Sequence, residues 1–300
     1  MPLIIILGPT AVGKTKLAVQ VAAELNGEII SADSRQVYKG MDIGTGKDLE
    51  EFAVNGKEIP HHLIDIKEAG EHYNLFDFQQ DFYQVYNDIC ARKKTPVLCG
   101  GTGLYLEAAL AKEQLLSVPR NENLRQELSS FTLEELNEKL LQLNSNQHNK
   151  TDLEDRERCI RAIEIETLKQ QHPSPPLSPI GERIIFGIHQ ERNELRARIE
   201  ERLNLRLKNG MVEEVERLLQ SGLSAEQLDY YGLEYRFISR YLKHELIYDE
   251  MYEKLLQAIR HFAKKQMTWY RRMERKGVKI HWMEANWSSA DKLSFVLNHI

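Results

Sequence analysis

The feature that most constrains this chain is the stretch Gly8-Pro-Thr-Ala-Val-Gly-Lys-Thr15, which fits the pattern G-x-x-x-x-G-K-[ST] at every fixed position. It follows the apolar run Leu3–Leu7, which predicts a buried strand, and precedes a helical pattern over 15–25. A strand, a glycine loop and a helix in this order are the context of a phosphate-binding loop, in which backbone N–H groups and the helix N-terminus surround an anion. The chain is therefore expected to bind a polyphosphate, which the loop alone does not identify.

Two side chains of this loop have predicted roles of their own. Lys14 would bring a positive charge to the outer phosphate, and the Thr15 hydroxyl would hold Mg²⁺. A chance match in a glycine-containing turn is the alternative, and the flanking strand and helix argue against it. The predicted contacts with a diphosphate or nucleotide are Gly8, Pro9, Thr10, Ala11, Val12, Gly13, Lys14 and Thr15.

Apolar runs alternate with helical patterns through residues 1–100, which predicts an α/β fold with a P-loop NTPase-like parallel sheet. At 111–180 the pattern becomes polar and helical and ends in a Pro/Ser-rich stretch, and from 191 onward it is almost all helix. We expect a core formed by 1–110 and 181–300, with a helical C-terminal part and a helical insertion at 111–180. Predicted strands cover 3–7, 28–31, 63–66, 96–99 and 184–187; predicted helices cover 15–25, 77–92, 122–129, 133–143, 155–169, 194–207, 212–220, 233–242 and 248–275.

Composition excludes several classes of protein. The net charge of −5 argues against a uniformly basic nucleic-acid binder, although nine Lys and Arg residues lie between 251 and 280 against two Glu. That cluster fits either a local phosphate-binding face or a solvated helix face. No run of about 18 apolar residues exists, so no membrane span is expected. The first strand begins too early for a signal peptide, and the three scattered cysteines indicate a reducing compartment. We expect a cytoplasmic monomer.

Polar side chains follow two of the predicted strands, where ligands of parallel α/β sheets bind. Asp33 comes after the second strand and could act as a general base or bind Mg²⁺ through water; a helix cap is the alternative. Gln36 carries an amide that can read an adenine edge. Thr102, within Gly100-Gly-Thr-Gly103, offers a hydroxyl beside residues small enough for close approach of a ligand; a tight turn before a helix is the alternative.

Two further segments combine charges in ways that suit nucleic acid. Arg158 and Arg161 are three residues apart and share a helix face, although exposed arginine pairs are common. The segment 260–272 mixes basic and aromatic residues, which suits backbone contacts and base stacking; packing of its apolar residues against the core is compatible with that role.

The ordered set of these segments resembles the tRNA dimethylallyltransferases, also called tRNA isopentenyltransferases. The pair Asp-Ser-x-Gln-x-Tyr and Gly-Gly-Thr-x-Leu-Tyr is far more specific than the phosphate loop. The matching segments are 8–15, 31–45, 61–65, 100–105, 158–164, 235–236 and 263–269.

The resemblance implies transfer of a dimethylallyl group from dimethylallyl diphosphate to N6 of adenine 37, beside the anticodon of tRNAs that read codons starting with U. It implies that Asp33 is the base, that Thr102 lies at the reaction centre, and that the loop, Lys14, Mg²⁺ and Arg236 stabilise the leaving diphosphate. The insertion would contact the tRNA anticodon stem-loop. The residues implied in tRNA binding are Asp33, Ser34, Arg35, Gln36, Thr102, Glu157, Arg158, Arg161, Lys264 and Lys265.

The chain departs from the family pattern at three positions. Glu234 replaces the usual Gly before Tyr-Arg, Glu157 replaces the usual Gln before the first insertion arginine, and Lys265 replaces the usual Arg. These changes affect predicted tRNA contacts more than the reaction centre. Two alternatives stay open at this point: a nucleotide or small-molecule kinase on the same fold, and a non-catalytic tRNA-binding protein.

Overall fold

The computed structural model describes residues 1–54, 56–144, 153–172, 174–177 and 180–300. These residues divide into two compact units, one formed by 1–110 with 180–300 and the other by 111–179. The predicted Pro/Ser-rich loop at the end of the insertion lies partly outside the described residues, because 173, 178 and 179 are not among them. Among the described helices, none has the length and hydropathy that a membrane span requires.

The first unit is built on a six-stranded sheet in the order β5-β2-β6-β1-β7-β8, in which every pairing is parallel. Its strands are β1 (Leu3–Leu7), β2 (Gly27–Ser31), β5 (His61–His62), β6 (Thr95–Gly100), β7 (Arg183–His189) and β8 (His281–Glu284). Two further strands, β3 (Ala53–Val54) and β4 (Lys57–Glu58), form a separate antiparallel pair.

The central strand β1 explains why the sheet forms from this sequence. All five of its residues are buried, and Ile5 lies opposite Leu98 of β6 on one side and Ile185 of β7 on the other. Strands of a parallel sheet are covered on both faces, so they are continuous apolar runs of this kind. The predicted α/β fold class is confirmed.

One strand prediction was wrong, and one observed strand was not predicted. The predicted strand at 63–66 is replaced by β5, two residues earlier, because Leu63 and Asp65 adopt φ of 62° and 55°, which a strand cannot contain. The region after 191, predicted as almost all helix, contains β8, which extends the sheet beyond β7.

The helices of the first unit lie between the strands of the sheet in sequence, except for one that follows the last strand. They are α1 (Lys14–Glu24), α2 (Leu75–Ala91), α3 (Gly103–Ala109), α7 (Arg192–Lys208), α8 (Met211–Gln220), α9 (Ala225–Tyr231), α10 (Leu233–Leu242), α11 (Tyr248–Arg275) and α12 (Ser289–Leu297). A short 3₁₀ helix covers Leu49–Phe52. The longest helix, α11, buries one apolar stripe, including Leu255, Ile259 and Ala263, which is the pattern of a helix packed along one face.

The second unit contains α4 (Glu122–Leu128), α5 (Leu133–Leu143) and α6 (Arg156–Gln171). Helix α5 begins with a capping box in which Thr132 and Glu135 bond each other's backbone N–H groups. The three helices enclose a small apolar core of their own, formed by Leu128, Leu136, Leu140, Cys159, Ile160 and Ile163. Such a core allows the unit to be compact in itself.

Candidate active site

The phosphate loop lies between β1 and α1, as its sequence predicts. Gly13 caps α1 with φ 81°, and Ala11 adopts φ 66°, so the chain turns through the left-handed region twice before the helix begins. The Nζ of Lys14 donates a hydrogen bond to Pro9 O at 2.7 Å. The pKa of Lys14 is lowered to about 8, chiefly by burial and in part by the neighbouring Arg202, while Cys99 and Asp33 oppose the shift. An ammonium held this way gains a partner when an anion enters the loop.

Two adjoining cavities lie at the carboxyl ends of the strands. The first has a volume of about 270 Å³ and is lined by the phosphate loop together with Asp33, Asp48 and Glu51. The second has a volume of about 550 Å³ and a more apolar wall, which includes Leu104 and Trp269. The residues common to both cavities are Thr10, Asp33, Thr45, Gly101, Arg202, Phe262 and Gln266. A ligand anchored in the first can therefore reach a ligand in the second.

Asp33 lies where the two cavities meet, just after β2. Its Oδ1 accepts a hydrogen bond from the backbone N–H of Arg35 at 2.9 Å. Across the described part of the chain, Oδ2 has no such bond. One carboxylate oxygen is thus used to fix the side chain, and the other is available to a substrate proton.

Thr102 joins the end of β6 to the end of β2. Its Oγ1 accepts the backbone N–H of Ser34 at 3.2 Å, and its own N–H donates to Ala32 O at 3.2 Å. Because the oxygen is the acceptor in the first bond, the hydroxyl proton can still be donated into the wider cavity, which Thr102 lines.

Gln36 is held more tightly than its predicted role in reading adenine suggests. Its Oε1 accepts from the Ser31 hydroxyl at 3.1 Å, and its Nε2 donates to Gly46 O at 3.0 Å. It lines the phosphate-loop cavity and not the wider one. An amide has two donor hydrogens and two acceptor lone pairs, so each end keeps one position for a ligand.

Arg202 in α7 is the cationic side chain that reaches the phosphate loop, and the sequence prediction did not include it. It donates to the Thr10 hydroxyl and lines both cavities. Burial lowers its pKa to about 10, with repulsion from Arg206 adding to the effect. Arg198, Arg202 and Arg206 are spaced four apart, and such like charges on one helix face are unfavourable unless anions lie nearby. That spacing is the sequence signal that could have identified it.

Arg236, predicted to stabilise the leaving diphosphate, lies on the wider cavity but does not line the phosphate-loop cavity. Its guanidinium lies 3.5 Å from the Asp229 carboxylate and donates to the Asp229 carbonyl at 3.2 Å. Arg202 therefore lies beside the phosphate loop, whereas Arg236 lines only the wider of the two cavities.

Helix α11 fixes both glycine loops from one side. Gln266 accepts the backbone N–H of Thr10 at 2.9 Å and donates to Gly101 O at 3.0 Å. One turn later, the Tyr270 hydroxyl lies 3.0 Å from Gly8 O and 3.3 Å from Gly101 O. Sequence reasoning placed Gln266 only within a basic tRNA-contacting segment, because contacts this far apart in sequence leave no local pattern.

The residues predicted to bind tRNA differ in their availability. Lys264 and Lys265 of α11 are exposed, and Lys265 also lines the wider cavity. In the second unit Arg158 is exposed, whereas Arg161 bonds Glu164 at 2.9 Å and Val118 O at 2.6 Å.

The two acidic departures have partners or neighbours of opposite charge. Glu157 pairs with Arg125 at 2.8 Å. Glu234 lies on the wider cavity, where burial raises its pKa while Arg206 and Arg202 oppose the shift. Each of the two carboxylates therefore has an arginine nearby that offsets its negative charge.

The donor set fits a magnesium ion held mainly by a phosphate. The phosphate-loop cavity presents the Thr15 hydroxyl and the carboxylates of Asp33, Asp48 and Glu51, and oxygen ligands are those that Mg²⁺ prefers. Within the described ranges, His, Cys, Asp and Glu side chains form no group of three that could hold a metal by themselves. Mg²⁺ commonly retains waters and uses few protein ligands beside substrate phosphates.

Comparison with known proteins shows the family to which the chain belongs. A family model described as "IPP transferase" matches residues 36–273, and one described as "Isopentenyl transferase" matches 1–58. The chain belongs to the tRNA dimethylallyltransferase family. Family membership makes it an enzyme and a transferase, and it favours neither the kinase nor the non-catalytic alternative.

The relatives match over nearly their whole length. The chain is 53% identical to "tRNA dimethylallyltransferase 1" of Parabacteroides distasonis, with 97% of this chain and 95% of the relative covered. It is 52% identical to the protein of the same name from Geotalea daltonii, over 98% and 94%. The crystal structure of a tRNA isopentenylpyrophosphate transferase from Bacillus halodurans superposes with a TM-score of 0.71 at 31% identity, over 99% and 95%.

Proposed function

We propose that this enzyme transfers the dimethylallyl group of dimethylallyl diphosphate to N6 of adenine 37 in tRNAs that read codons starting with U. The observation that carries the proposal is the position of Asp33, which lines both the phosphate-loop cavity and the adjoining, more apolar cavity. A base at that junction can take the proton of a nucleophile that enters from one side, while the nucleophile attacks the carbon of an allylic diphosphate held on the other.

The first cavity suits the diphosphate. Backbone N–H groups of the loop, the N-terminus of α1 and Lys14 surround the site of an anion, and Arg202 approaches it from α7. Negative charge grows on the diphosphate as the allylic C–O bond breaks. Donors already fixed in place stabilise that charge without reorganising, which is where most of the catalytic effect of such a site arises.

The second cavity suits the adenine. Its exocyclic amine is a weak nucleophile, because the lone pair is delocalised into the ring, so loss of an N6 proton must accompany attack. Asp33 Oδ2 would accept that proton, and the Thr102 hydroxyl would donate a hydrogen bond beside it. The base must leave the anticodon-loop stack to enter, and Leu104 and Trp269 offer apolar walls to receive it.

Mg²⁺ would be held by the Thr15 hydroxyl together with phosphate oxygens. When bound, it would neutralise part of the diphosphate charge and favour its departure as a leaving group. The carboxylates of Asp48 and Glu51 in the same cavity would bind waters of the ion.

The tRNA backbone would be held by cations from both units. Arg158 and Arg161 in the second unit and Lys264 and Lys265 on α11 have the charge for phosphate contacts. Of these, Arg158, Lys264 and Lys265 are exposed and make no ion pair within the part of the chain described here. They are therefore available to phosphates without breaking an internal contact.

Release of diphosphate tests the proposal. Purified protein is incubated with dimethylallyl diphosphate and Mg²⁺, with and without unmodified tRNA, and in parallel with ATP. We expect diphosphate release only when tRNA and dimethylallyl diphosphate are both present. Turnover of ATP to ADP with phosphorylation of an acceptor would instead support a kinase, and tRNA binding without either reaction would support a non-catalytic protein.

Replacing Arg202 with alanine is expected to raise the KM for dimethylallyl diphosphate about 10- to 100-fold, because a hydrogen-bonded cation is lost from the anion site. The KM for tRNA should change little. Steady-state kinetics measure both constants. Arg196→Ala, an exposed arginine of the same helix, is the matched control and should behave as the wild type; an unchanged KM in Arg202→Ala would exclude Arg202 from diphosphate binding.

Replacing Arg158 with alanine is expected to weaken tRNA binding and to reduce the slope of log K against log[salt] by about 1, because one phosphate contact is lost. Filter binding over a series of salt concentrations measures the slope. The affinity for dimethylallyl diphosphate serves as the internal control and should stay constant. A wild-type slope would mean that Arg158 contacts no phosphate.

A further inference from the structure

A buried carboxylate outside both cavities binds a loop that lines them. Glu214 of α8 is 3% exposed. Its Oε2 accepts the backbone N–H groups of Asp42 at 2.9 Å and Ile43 at 2.8 Å, and its Oε1 accepts the N–H of Gly44 at 3.0 Å. Three consecutive N–H groups converging on one anion form a nest, an arrangement that fixes the backbone around the charge.

The same carboxylate also binds α10. The Tyr235 hydroxyl donates to Glu214 Oε1 at 2.8 Å, and burial together with the carboxylate raises the pKa of Tyr235, so the phenol keeps its proton. The ring packs on Gly44, where an added Cβ would lie 2.7 Å from it. Only glycine allows this approach. Tyr235 stands between Glu234 and Arg236, both of which line the wider cavity.

The loop that Glu214 holds reaches the junction of the cavities. Thr45 lines both of them, and the carbonyl of Gly46 accepts the Gln36 amide at 3.0 Å. A second buried anchor, Lys47, binds the Asp42 carboxylate at 2.6 Å and the Tyr38 carbonyl at 2.6 Å. The segment 42–46 is therefore fixed from both sides, and its position sets where Gln36 and Thr45 stand.

We propose that Glu214 is a positioning residue for prenyl transfer, which holds the segment 42–46 against α10 so that both walls of the cavity junction keep their spacing. The inference rests on the proposed function and adds to it a residue that touches neither substrate. A buried carboxylate is costly unless its lone pairs are used, and here four donors use them. The charge and the two oxygen acceptors are both required, because each oxygen receives two donors.

Glu214→Gln tests this role most directly. The substitution keeps the size and shape of the side chain, but it removes the negative charge and replaces one of the two acceptor oxygens with an NH₂ group. In the glutamine variant, an NH₂ group, which is a donor, replaces one oxygen that accepts hydrogen bonds from two donors in the wild type. With its oxygen toward Asp42 and Ile43, the NH₂ faces the N–H of Gly44, where no hydrogen bond can form. Glu216→Gln makes the same chemical change at an exposed site on the same helix.

We expect Glu214→Gln to lower kcat about 10- to 100-fold, because displacement by about 1 Å is enough for such a loss. The KM for tRNA should stay near the wild-type value, and the amides of Asp42, Ile43 and Gly44 should exchange with solvent faster. Glu216→Gln should match the wild type in all three measurements. Kinetics are recorded well below the Tm of each variant, so that loss of folded protein does not contribute.

A wild-type kcat in folded Glu214→Gln, or unchanged exchange at these three amides, would overturn the inference. If Glu214→Gln does not fold, Tyr235→Phe replaces it as the test. This variant removes one of the four hydrogen bonds to Glu214, and we expect its kcat to fall about 3- to 10-fold. A wild-type kcat in Tyr235→Phe would overturn the positioning role of Glu214. Failure of the wild type itself to transfer would instead reject the proposed function, while the exchange measurement would still report whether Glu214 holds the loop.

Discussion

Asp33→Asn is expected to lower kcat about 10²- to 10⁴-fold while leaving the affinity for dimethylallyl diphosphate unchanged or slightly higher, because the proton acceptor is lost and a negative charge leaves the anion site. Asparagine can still accept the N–H of Arg35 through its oxygen, so the turn after β2 should survive. Single-turnover transfer measures the chemical step, and calorimetry with dimethylallyl diphosphate measures binding.

The two measurements separate the roles that Asp33 could have. A loss of transfer with binding intact identifies the base. A parallel loss of binding would indicate that Asp33 serves the metal or the diphosphate, since it also lines the phosphate-loop cavity. Near-normal turnover in Asp33→Asn would show that another group takes the N6 proton.

Lys14→Ala is expected to lower kcat/KM for dimethylallyl diphosphate about 10²- to 10³-fold, because a fixed cation is lost where the leaving group gains charge. Its Nζ is a charged donor within the loop itself, and among the described residues it has one hydrogen bond, to Pro9 O, so it is available to phosphate. Steady-state kinetics with tRNA held at saturation measure the effect.

Lys16→Ala is the matched control for this change. Lys16 lies two residues further along α1, is exposed, and lines neither cavity. Its loss should change kcat/KM by less than about twofold. If kcat/KM changes as little in Lys14→Ala as in Lys16→Ala, the phosphate loop does not bind the diphosphate of dimethylallyl diphosphate.

How far the fold could be predicted from the sequence depends on the distance over which each element is stabilised. Four elements were predicted at their observed bounds: strand β1 and the helices at 133–143, 233–242 and 248–275. Each is marked in the local sequence, the strand by a continuous apolar run and the helices by amphipathic periodicity. The strand predicted at 63–66 was wrong although three of its four residues are apolar, since Leu63 and Asp65 adopt positive φ values that a strand cannot contain.

The strand β8 shows the limit of local patterns most clearly. It is four residues long and carries His281, Trp282 and Glu284, so no apolar run marks it. It forms because one edge of β7 is free to pair with it. Trp282 of β8 lies opposite Gly187 of β7, which is far away in sequence. Tertiary pairing of this kind overrides the helical pattern around it.

The candidate site divides in the same way. The phosphate loop, Asp33 and Thr102 could be placed from sequence, because the carboxyl ends of parallel strands meet at one edge of the sheet. Glu214 could not, and the only sequence signal for Arg202 was the four-residue spacing of its neighbouring arginines, since the partners Asp42 and Thr10 are 172 and 192 residues away. Helices remote in sequence complete the site, and only their packing shows which side chains point inward.

We expect the group joined to the tRNA to be the dimethylallyl group and the acceptor atom to be N6 of adenine 37. Nucleoside mass spectrometry tests this most directly, on unmodified tRNA bearing A36-A37-A38 after incubation with the enzyme, Mg²⁺ and dimethylallyl diphosphate. We expect N6-dimethylallyladenosine at position 37 with the wild type and none with Asp33→Asn. An unmodified A37, or a dimethylallyl group at another nucleotide, would contradict it.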